Sequence, residues 1–200
     1  MRSSDQRPSP RRPHLPAWSH EQPLEWMLWP PPAVSHARVE QELAQDAFRR
    51  VVGRFATGVT VITTRLDGVD HAMTVNSFTS VSLDPLLVLF CPDRRSRFHD
   101  VVLKAGVWGV SVLADTMESA SSEFARRGRD LSRPLEGYGY RRGSLGVALL
   151  DGAVATLACR TSAVHDGGDH SIVVGSVVEM HSGAAETSPL LYYEGRYRRL

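Results

Sequence analysis

The residue types best suited to chemistry crowd into one stretch, HAMTVNSFTSVSLDPLLVLFCP, which runs from His71 to Pro92. Its first half carries small hydroxyl and amide side chains: Thr74, Asn76, Ser77, Thr79, Ser80 and Ser82. Such groups, together with backbone N–H groups beside a strand, suit a phosphate or a polar heteroaromatic ring. No lysine or arginine lies inside the stretch, so we expect mainly neutral donors, with Arg97 as the nearest basic side chain. The alternative is an ordinary turn and edge strand, where serine and threonine are also common.

A second cluster, HDGGDH, spans His165 to His170. Two histidines and two aspartates within six residues suggest a metal site. The two glycines instead favour a tight hairpin turn that swings the side chains apart, so a solvated hairpin is the preferred interpretation. A third possibility is a histidine that stacks on, or donates to, a cofactor ring. Near the C-terminus, alternation places Tyr193 and Tyr197 on one side of the chain, as interface or rim residues.

Several common function classes lack their motifs in this sequence. There is no G-x-G-x-x-G after a strand, no P-loop, no G-x-S-x-G and no H-E-x-x-H. The 23 basic residues nearly balance the 22 acidic ones, so we expect no nucleic-acid and no membrane partner. Cys91 and Cys159 lie in apolar runs, as buried reduced thiols would. With no bilayer-length apolar run and no export signal, we expect a cytoplasmic protein.

The chain divides by composition into an arm and a domain. Eight of the twelve prolines come before Ala33, so residues 1–36 are predicted to be a flexible proline-rich arm and residues 37–200 the folded domain. In the domain, periodicity and capping residues predict helices over 39–56, 97–105 and 115–127. Strands are predicted over 59–64, 69–75, 86–90 and 107–114. Further strands are predicted on both sides of HDGGDH and at the C-terminus. Residues 129–146 are predicted to be a surface loop. Six or seven strands joined by short turns favour a mainly β fold, an antiparallel barrel or sheet with peripheral helices.

Three segments, taken in order, resemble one known family, the short-chain flavin reductases, which are the reductase components of two-component flavin monooxygenases. The segments are FRRVVGRFATGVTVITT, MTVNSFTSVSLDPLLVLFCPDRRSRF and HDGGDHSIVVGSV, and the resemblance extends from about Phe48 to Tyr197. It implies an FMN-binding split β-barrel, FMN or FAD as the flavin, and NADH or NADPH as the hydride donor. It also implies a homodimer and a cognate flavin-dependent oxygenase as partner.

The resemblance also assigns site residues, and it assigns no metal. Positions expected along the flavin and at its phosphate end are Ala72, Met73, Thr74, Val75, Asn76, Ser77, Cys91, Pro92, Asp93, Arg97, Phe98 and Phe124. Gly168 and Asp169 belong to the turn where the nicotinamide arrives, and His170 is the expected catalytic residue beside it. Glu123 stands where some relatives have a basic residue, which weakens an expected contact to a second phosphate. A non-catalytic flavin-binding or electron-carrier protein remains the main alternative, and a pyridoxamine-phosphate oxidase barrel is the next.

Overall fold

The computed structural model describes residues 41–129 and 134–200. The arm predicted over residues 1–36 lies outside the described residues, as do the first residues of the predicted domain. The elements in chain order are α1 (Gln41–Val52), β1 (Thr57–Gly58), β2 (Thr60–Leu66), β3 (Val69–Val75), β4 (Thr79–Leu83), β5 (Leu86–Phe90), α2 (Arg97–Ala105), β6 (Val107–Val112), α3 (Glu118–Ala125), β7 (Tyr140–Arg142), β8 (Ala148–Leu150), β9 (Ala155–Gly167), β10 (His170–Ser182), β11 (Leu191–Tyr193) and β12 (Arg196–Arg198).

The main sheet has seven strands in the order β3-β2-β6-β9-β10-β5-β4, and all its neighbouring pairs are antiparallel. The two end strands, β3 and β4, do not pair with each other, so the sheet curls without closing. This is the antiparallel architecture with peripheral helices that the turn pattern favoured, and it agrees with the split barrel that the resemblance implied. Smaller sheets, β1-β11-β12 and β7-β8, lie beside it.

The β2–β3 hairpin determines which strand becomes the open edge. Asp67 and Gly68 at its turn have φ angles of 51° and 80°, the left-handed conformation that a two-residue hairpin turn requires. The predicted LDGV turn is therefore confirmed, and β3 pairs with β2 from Val69 to Val75. Because β3 is an end strand, its outer backbone groups face away from the ladder and are available to other partners.

The core packs α2 against the inner side of the sheet. Trp108 is fully buried and meets the ring of Phe90 edge-on, with 4.8 Å between ring centroids. On β10, a Cβ on Gly175 would overlap the Trp108 indole, so only glycine fits there. The ends of α2 follow the prediction, since Ser96 caps the His99 N–H and Gly106 ends the helix in the left-handed conformation.

Three local predictions were wrong. The helix predicted over 39–56 ends at Val52, where a turn at residues 53–55 leads into β1. The helix predicted from Asp115 instead begins with a 3₁₀ turn, and α3 starts only at Glu118 without a side-chain cap. The Asp115 N–H donates to the Ser188 carbonyl, so a long-range contact replaces the predicted capping box. The predicted loop over 129–146 contains β7, which is held to the sheet by an ion pair between Arg142 and Asp70.

Candidate active site

A cavity of about 390 Å³ lies between β3, the loop after β5, the start of α2 and the end of α3. The six predicted site residues that line it are Ala72, Met73, Asp93, Arg97, Phe98 and Phe124. Met73 and the two phenylalanines supply apolar wall, while Arg97 and Asp93 supply charge. Sequence positions that lie far apart in the chain therefore meet in one place, as the resemblance implied.

A second, smaller cavity of about 200 Å³ continues along β3. Three more predicted residues, Thr74, Val75 and Asn76, line it, and Ala125 lines both cavities. Hydroxyl groups dominate its far side: Ser121 and Tyr197 are hydrogen bonded at 2.8 Å, and Thr74 donates to the Ser121 carbonyl at 2.7 Å. Tyr192, and not Tyr193 as predicted, is the neighbour of Tyr197, with 5.6 Å between ring centroids.

The remaining predicted residues line neither cavity. Ser77 accepts a hydrogen bond from the Cys91 N–H at 3.0 Å, which ties the end of β5 to the chain that follows β3. The Pro92 carbonyl accepts from the Ser171 N–H at 3.2 Å.

The hairpin turn holds the other three predicted residues: Gly168, Asp169 and His170. His170 forms a β-bridge with the cavity-lining Asp93, so the turn adjoins the rim without lining the cavity. Gly168 has a φ of 75°, as the turn requires. The Asp169 carboxylate lies 2.8 Å from Nδ1 of His170, and that contact lowers the pKa of Asp169.

The charge of the first cavity differs from the expectation of mainly neutral donors. Five arginines line it: Arg95, Arg97, Arg126, Arg127 and Arg129. Asp93 and Glu123 partly balance this positive charge. Arg95 is hydrogen bonded to Asp93. Nε and Nη2 of Arg126 donate to the Glu123 carboxylate at 3.1 and 2.8 Å. These contacts lower the pKa values of both carboxylates, so both are ionised at neutral pH. Cations still outnumber anions, and the cavity is suited to an anionic ligand.

Sequence reasoning missed four of these arginines, although a signal was present. The segment FARRGR begins at the predicted contact Phe124 and carries three of the four missed arginines, but it was interpreted only as the end of a helix. Basic residues just beyond a helix end are often solvated. Here the chain after α3 turns back along β3, which brings Arg126, Arg127 and Arg129 to the cavity.

Arg129 is the most deeply placed of the five arginines. Its residue is only 8% exposed, and Nη2 donates to the Ala72 carbonyl of β3 at 2.5 Å. The guanidinium lies 5.3 Å from the centroid of the Phe124 ring, a cation–π contact. Burial lowers the pKa of Arg129, yet a guanidinium keeps its proton. Arg129 therefore fixes the backbone of β3 and holds a permanent positive charge at the cavity wall.

Two further features favour an anion that carries a polar ring. α2 begins at Arg97, so the positive end of its dipole adjoins the cavity at Ser96 and Phe98. His71, which was not predicted as a site residue, also lines the cavity. Burial, with a smaller effect of Arg129, lowers its pKa against the opposing effect of Asp70, so the imidazole is neutral at pH 7.

The HDGGDH segment does not collect metal ligands. In the ladder His165 pairs with Ile172, while His170 pairs with Gly167. Across residues 41–129 and 134–200, the structure shows no group of three or more histidine, cysteine, aspartate or glutamate side chains that could hold a metal ion. In the same part of the chain, no helix is both long enough and apolar enough to cross a membrane.

A split barrel with an arginine-lined cavity along its open edge strand is suited to bind an anionic ligand. The sequence is more specific, because residues 52–200 match the flavin reductase like domain, and the chain belongs to this family. It is 41% identical over 150 residues to the reductase subunit HsaB of a flavin-dependent monooxygenase from Rhodococcus jostii, covering 75% of each chain. It is 40% identical over 156 residues to the reductase component of 4-hydroxyphenylacetate 3-monooxygenase from Thermus thermophilus, covering 78% of this chain and 97% of the relative.

A solved structure supports the same family and fold. The NADH:FAD oxidoreductase SgcE6 of Streptomyces globisporus, crystallised with NAD and FAD fragments, superposes with a TM-score of 0.73 at 36% identity. The match covers 78% of this chain and 92% of that chain. The family assigned from three sequence segments and the split-barrel fold are thereby confirmed.

Proposed function

We propose that this protein is an NAD(P)H-dependent flavin reductase, which transfers a hydride from C4 of the nicotinamide to N5 of FMN or FAD. The observation that carries the proposal is the arginine-lined cavity on β3, with the His170 turn bridged to its rim at Asp93. The family supports the same reaction. A protein that only stored or carried flavin would have no need of a second ligand-binding turn beside the cavity.

The residues present fit a flavin. Arg97, Ser96 and the start of α2 would hold its phosphate by charge-assisted and helix N-terminal contacts. Met73 and Phe124 offer apolar surface to an aromatic ring, and the polar groups of β3 continue through Thr74 into the second cavity. When bound, the flavin supplies a two-electron acceptor, and the dinucleotide supplies the hydride.

The task left to the protein is to orient its ligands and to exclude water, which explains why no nucleophile or catalytic dyad is needed. The open edge of β3 presents backbone N–H groups that can stabilise negative charge on the ring's pyrimidine side after hydride arrives. His170, Gly168 and Asp169 form the nicotinamide side of the site, and Thr74, Val75 and Asn76 with Ser77 form the flavin side. Cys91 and Pro92 shape the loop between them.

The reduced flavin then leaves to serve a cognate flavin-dependent oxygenase, so flavin acts as a substrate as much as a cofactor. This part of the proposal is supported by the named roles of the two relatives described above. The protein works in the cytoplasm, with residues 1–36 as a proline-rich arm on the reductase domain 37–200.

We also propose that the working unit is a homodimer. Large apolar side chains stand exposed on the described part of the chain, including Phe48 at 66%, Phe55 at 77%, Leu83 at 86% and Met180 at 68%. Exposed apolar surface of this kind is typical of a protein interface. Light scattering on the purified protein measures the subunit count, and a monomer at micromolar concentration would contradict the dimer without touching the reaction.

The reaction is tested by following NADH and NADPH oxidation at 340 nm with and without added FMN or FAD. We expect steady oxidation that depends on added flavin and saturates with it. Tight flavin binding with no NADH or NADPH turnover would overturn the proposal and establish the flavin-binding or electron-carrier alternative.

A further inference from the structure

We propose that Arg94 is a positioning residue for hydride transfer, which clamps the His170 turn to the loop that carries the flavin-side residues. Here the turn means residues Asp166–His170. Arg94 follows the cavity residue Asp93 directly but does not itself line either cavity described above. The inference rests on the proposed function, because it concerns how the nicotinamide side of the site is held.

Three hydrogen bonds run from Arg94 to the turn. Its backbone N–H donates to the Asp169 carbonyl at 3.0 Å, and its Nε donates to the His170 carbonyl at 3.1 Å. Its Nη2 donates to Oδ1 of Asp166 at 2.9 Å. That same oxygen accepts the Gly168 N–H at 2.9 Å. One arginine therefore holds both arms of the turn and the carboxylate that shapes it.

Other contacts secure the base of the hairpin and not its tip. The Ser171 N–H donates to the Pro92 carbonyl, and the Ser171 hydroxyl lies 2.9 Å from Nε2 of the buried His99 on α2. The ladder with β5 begins only at Val173. Within the part of the chain that the structure describes, two features link the turn to the loop after β5. They are the β-bridge between His170 and Asp93 and the side-chain hydrogen bonds of Arg94.

The direction of the His170 ring follows from the backbone that Arg94 holds. Nδ1 of the ring lies 2.8 Å from the Asp169 carboxylate, so the ring is tied to the neighbouring residue. Arg94 binds the carbonyl groups of both Asp169 and His170. Truncating the side chain would keep the backbone bond to Asp169 but remove the bonds to the His170 carbonyl and to Asp166, so the tip of the turn would be held less firmly. A displacement of about 1 Å in a reacting geometry can cost about 100-fold in rate.

The Arg94 side chain differs from the cavity arginines because it lines neither cavity and its acceptors belong to the turn. Its side chain is 43% exposed and that of Asp166 is 79% exposed. An ion pair with this exposure contributes little to the free energy of unfolding. A structural role alone therefore predicts almost no effect of its removal, whereas a positioning role predicts a loss of turnover in a folded protein.

The test compares Arg94→Ala and Arg94→Lys with a matched control, Arg54→Ala. Arg54 also makes an exposed long-range ion pair, to Glu194 at 3.3 Å, and it lies outside both cavities. We expect Arg94→Ala to lower kcat for NADH about tenfold, with the flavin Kd changed by less than about twofold. Arg94→Lys keeps the charge but lacks the several N–H donors of the guanidinium, so its kcat should lie between those of Arg94→Ala and the wild type. Arg54→Ala should match the wild type within about twofold.

Hydrogen exchange gives a readout that does not depend on turnover. Amide exchange in the peptide that covers the turn should be faster in Arg94→Ala than in the wild type, and unchanged in Arg54→Ala. Asp166→Asn serves as a second variant, at a largely exposed position, and it should accelerate exchange in the same peptide. Unchanged melting temperatures in all variants would show that they are folded.

Some results would overturn the proposal. A folded Arg94→Ala variant with wild-type kcat and wild-type exchange in the turn would show that Arg94 positions nothing. An equal loss of flavin affinity and turnover would make Arg94 a flavin ligand instead. Absence of flavin-dependent NADH oxidation in the wild type would refute the proposed function itself, whereas the exchange experiment would still judge whether Arg94 holds the turn.

Discussion

Replacement of Arg129 tests whether the cavity on β3 is built around a buried cation. In Arg129→Ala the Ala72 carbonyl loses its charged donor and the Phe124 ring loses its cation. A hydrogen bond to a charged group contributes about 1.5–3 kcal/mol, and a cation–π contact about 0.5–2 kcal/mol. Water can enter from the cavity and partly replace the donor. We therefore expect the free energy of unfolding to fall by about 2 kcal/mol.

The same substitution should also weaken flavin binding. Arg129 supplies one of five cations of the cavity, and three of the others pair with Asp93 or Glu123. Losing a charge-assisted contact of about 1.5–3 kcal/mol corresponds to a flavin Kd raised about 10- to 100-fold. Urea unfolding measures the first effect, and quenching of flavin fluorescence on titration measures the second.

Arg129→Lys is the matched control for charge. A lysine keeps the positive charge but can neither fork to the Ala72 carbonyl nor stack on Phe124 as a plane. We expect it to recover part of the flavin affinity and little of the stability. A folded Arg129→Ala variant that binds FMN and FAD as tightly as the wild type would refute the reasoning, because the cation would then have no part in the site.

Three further predictions concern His170 in the turn, Gly175 in the core and the stability of the fold at low pH. His170→Ala should lower NADH turnover about tenfold or more while flavin affinity stays within about twofold, and equal losses in kinetic and binding assays would contradict the assigned role. Gly175→Ala should destabilise the fold by about 1–3 kcal/mol, because its Cβ would overlap Trp108; an unchanged urea midpoint would show that β10 can shift freely. Glu179 has its pKa lowered from 4.5 to about 2, chiefly by a backbone N–H and by Arg141. A lowered carboxylate pKa stabilises the folded state above the unfolded value and stops doing so as pH falls through the folded value, so the wild type should lose stability between about pH 4.5 and 2. Glu179→Gln should flatten that part of the stability curve, and acid unfolding curves that coincide for the two proteins would disprove it.

The fold could be predicted where local signals agreed with the tertiary structure. The LDGV turn, the Ser96 cap and the Gly106 stop all act within a few residues, and each was found where the sequence placed it. The start of α3 could not be predicted in this way. Its residue pattern suits a capping box at Asp115, but the hydrogen bond to Ser188, 73 residues later in the chain, decides the backbone there.

Part of the lining of the larger cavity could be predicted by residue type, but its charge could not. Small polar groups before an apolar strand pointed to β3, and six predicted residues line the larger cavity. The arginines after α3 were missed because their position depends on how the chain returns along β3. A run of basic residues beyond a helix looks the same in the sequence whether it is solvated or folded back onto a ligand site.

The charge pattern also bears on how a flavin reductase can release its product. A cavity lined by five free arginines would hold a phosphate tightly, and a tightly held flavin could not travel to an oxygenase. In this chain Asp93 engages Arg95 and Glu123 engages Arg126, so only part of the positive charge is left for the ligand. The sequence suggested that Glu123 weakens a contact to a second phosphate. In the structure Glu123 accepts two hydrogen bonds from Arg126, which lines the cavity. We expect these carboxylates to lower the affinity for the flavin while they hold the arginines in place, so that the site is ordered and the flavin can still be released.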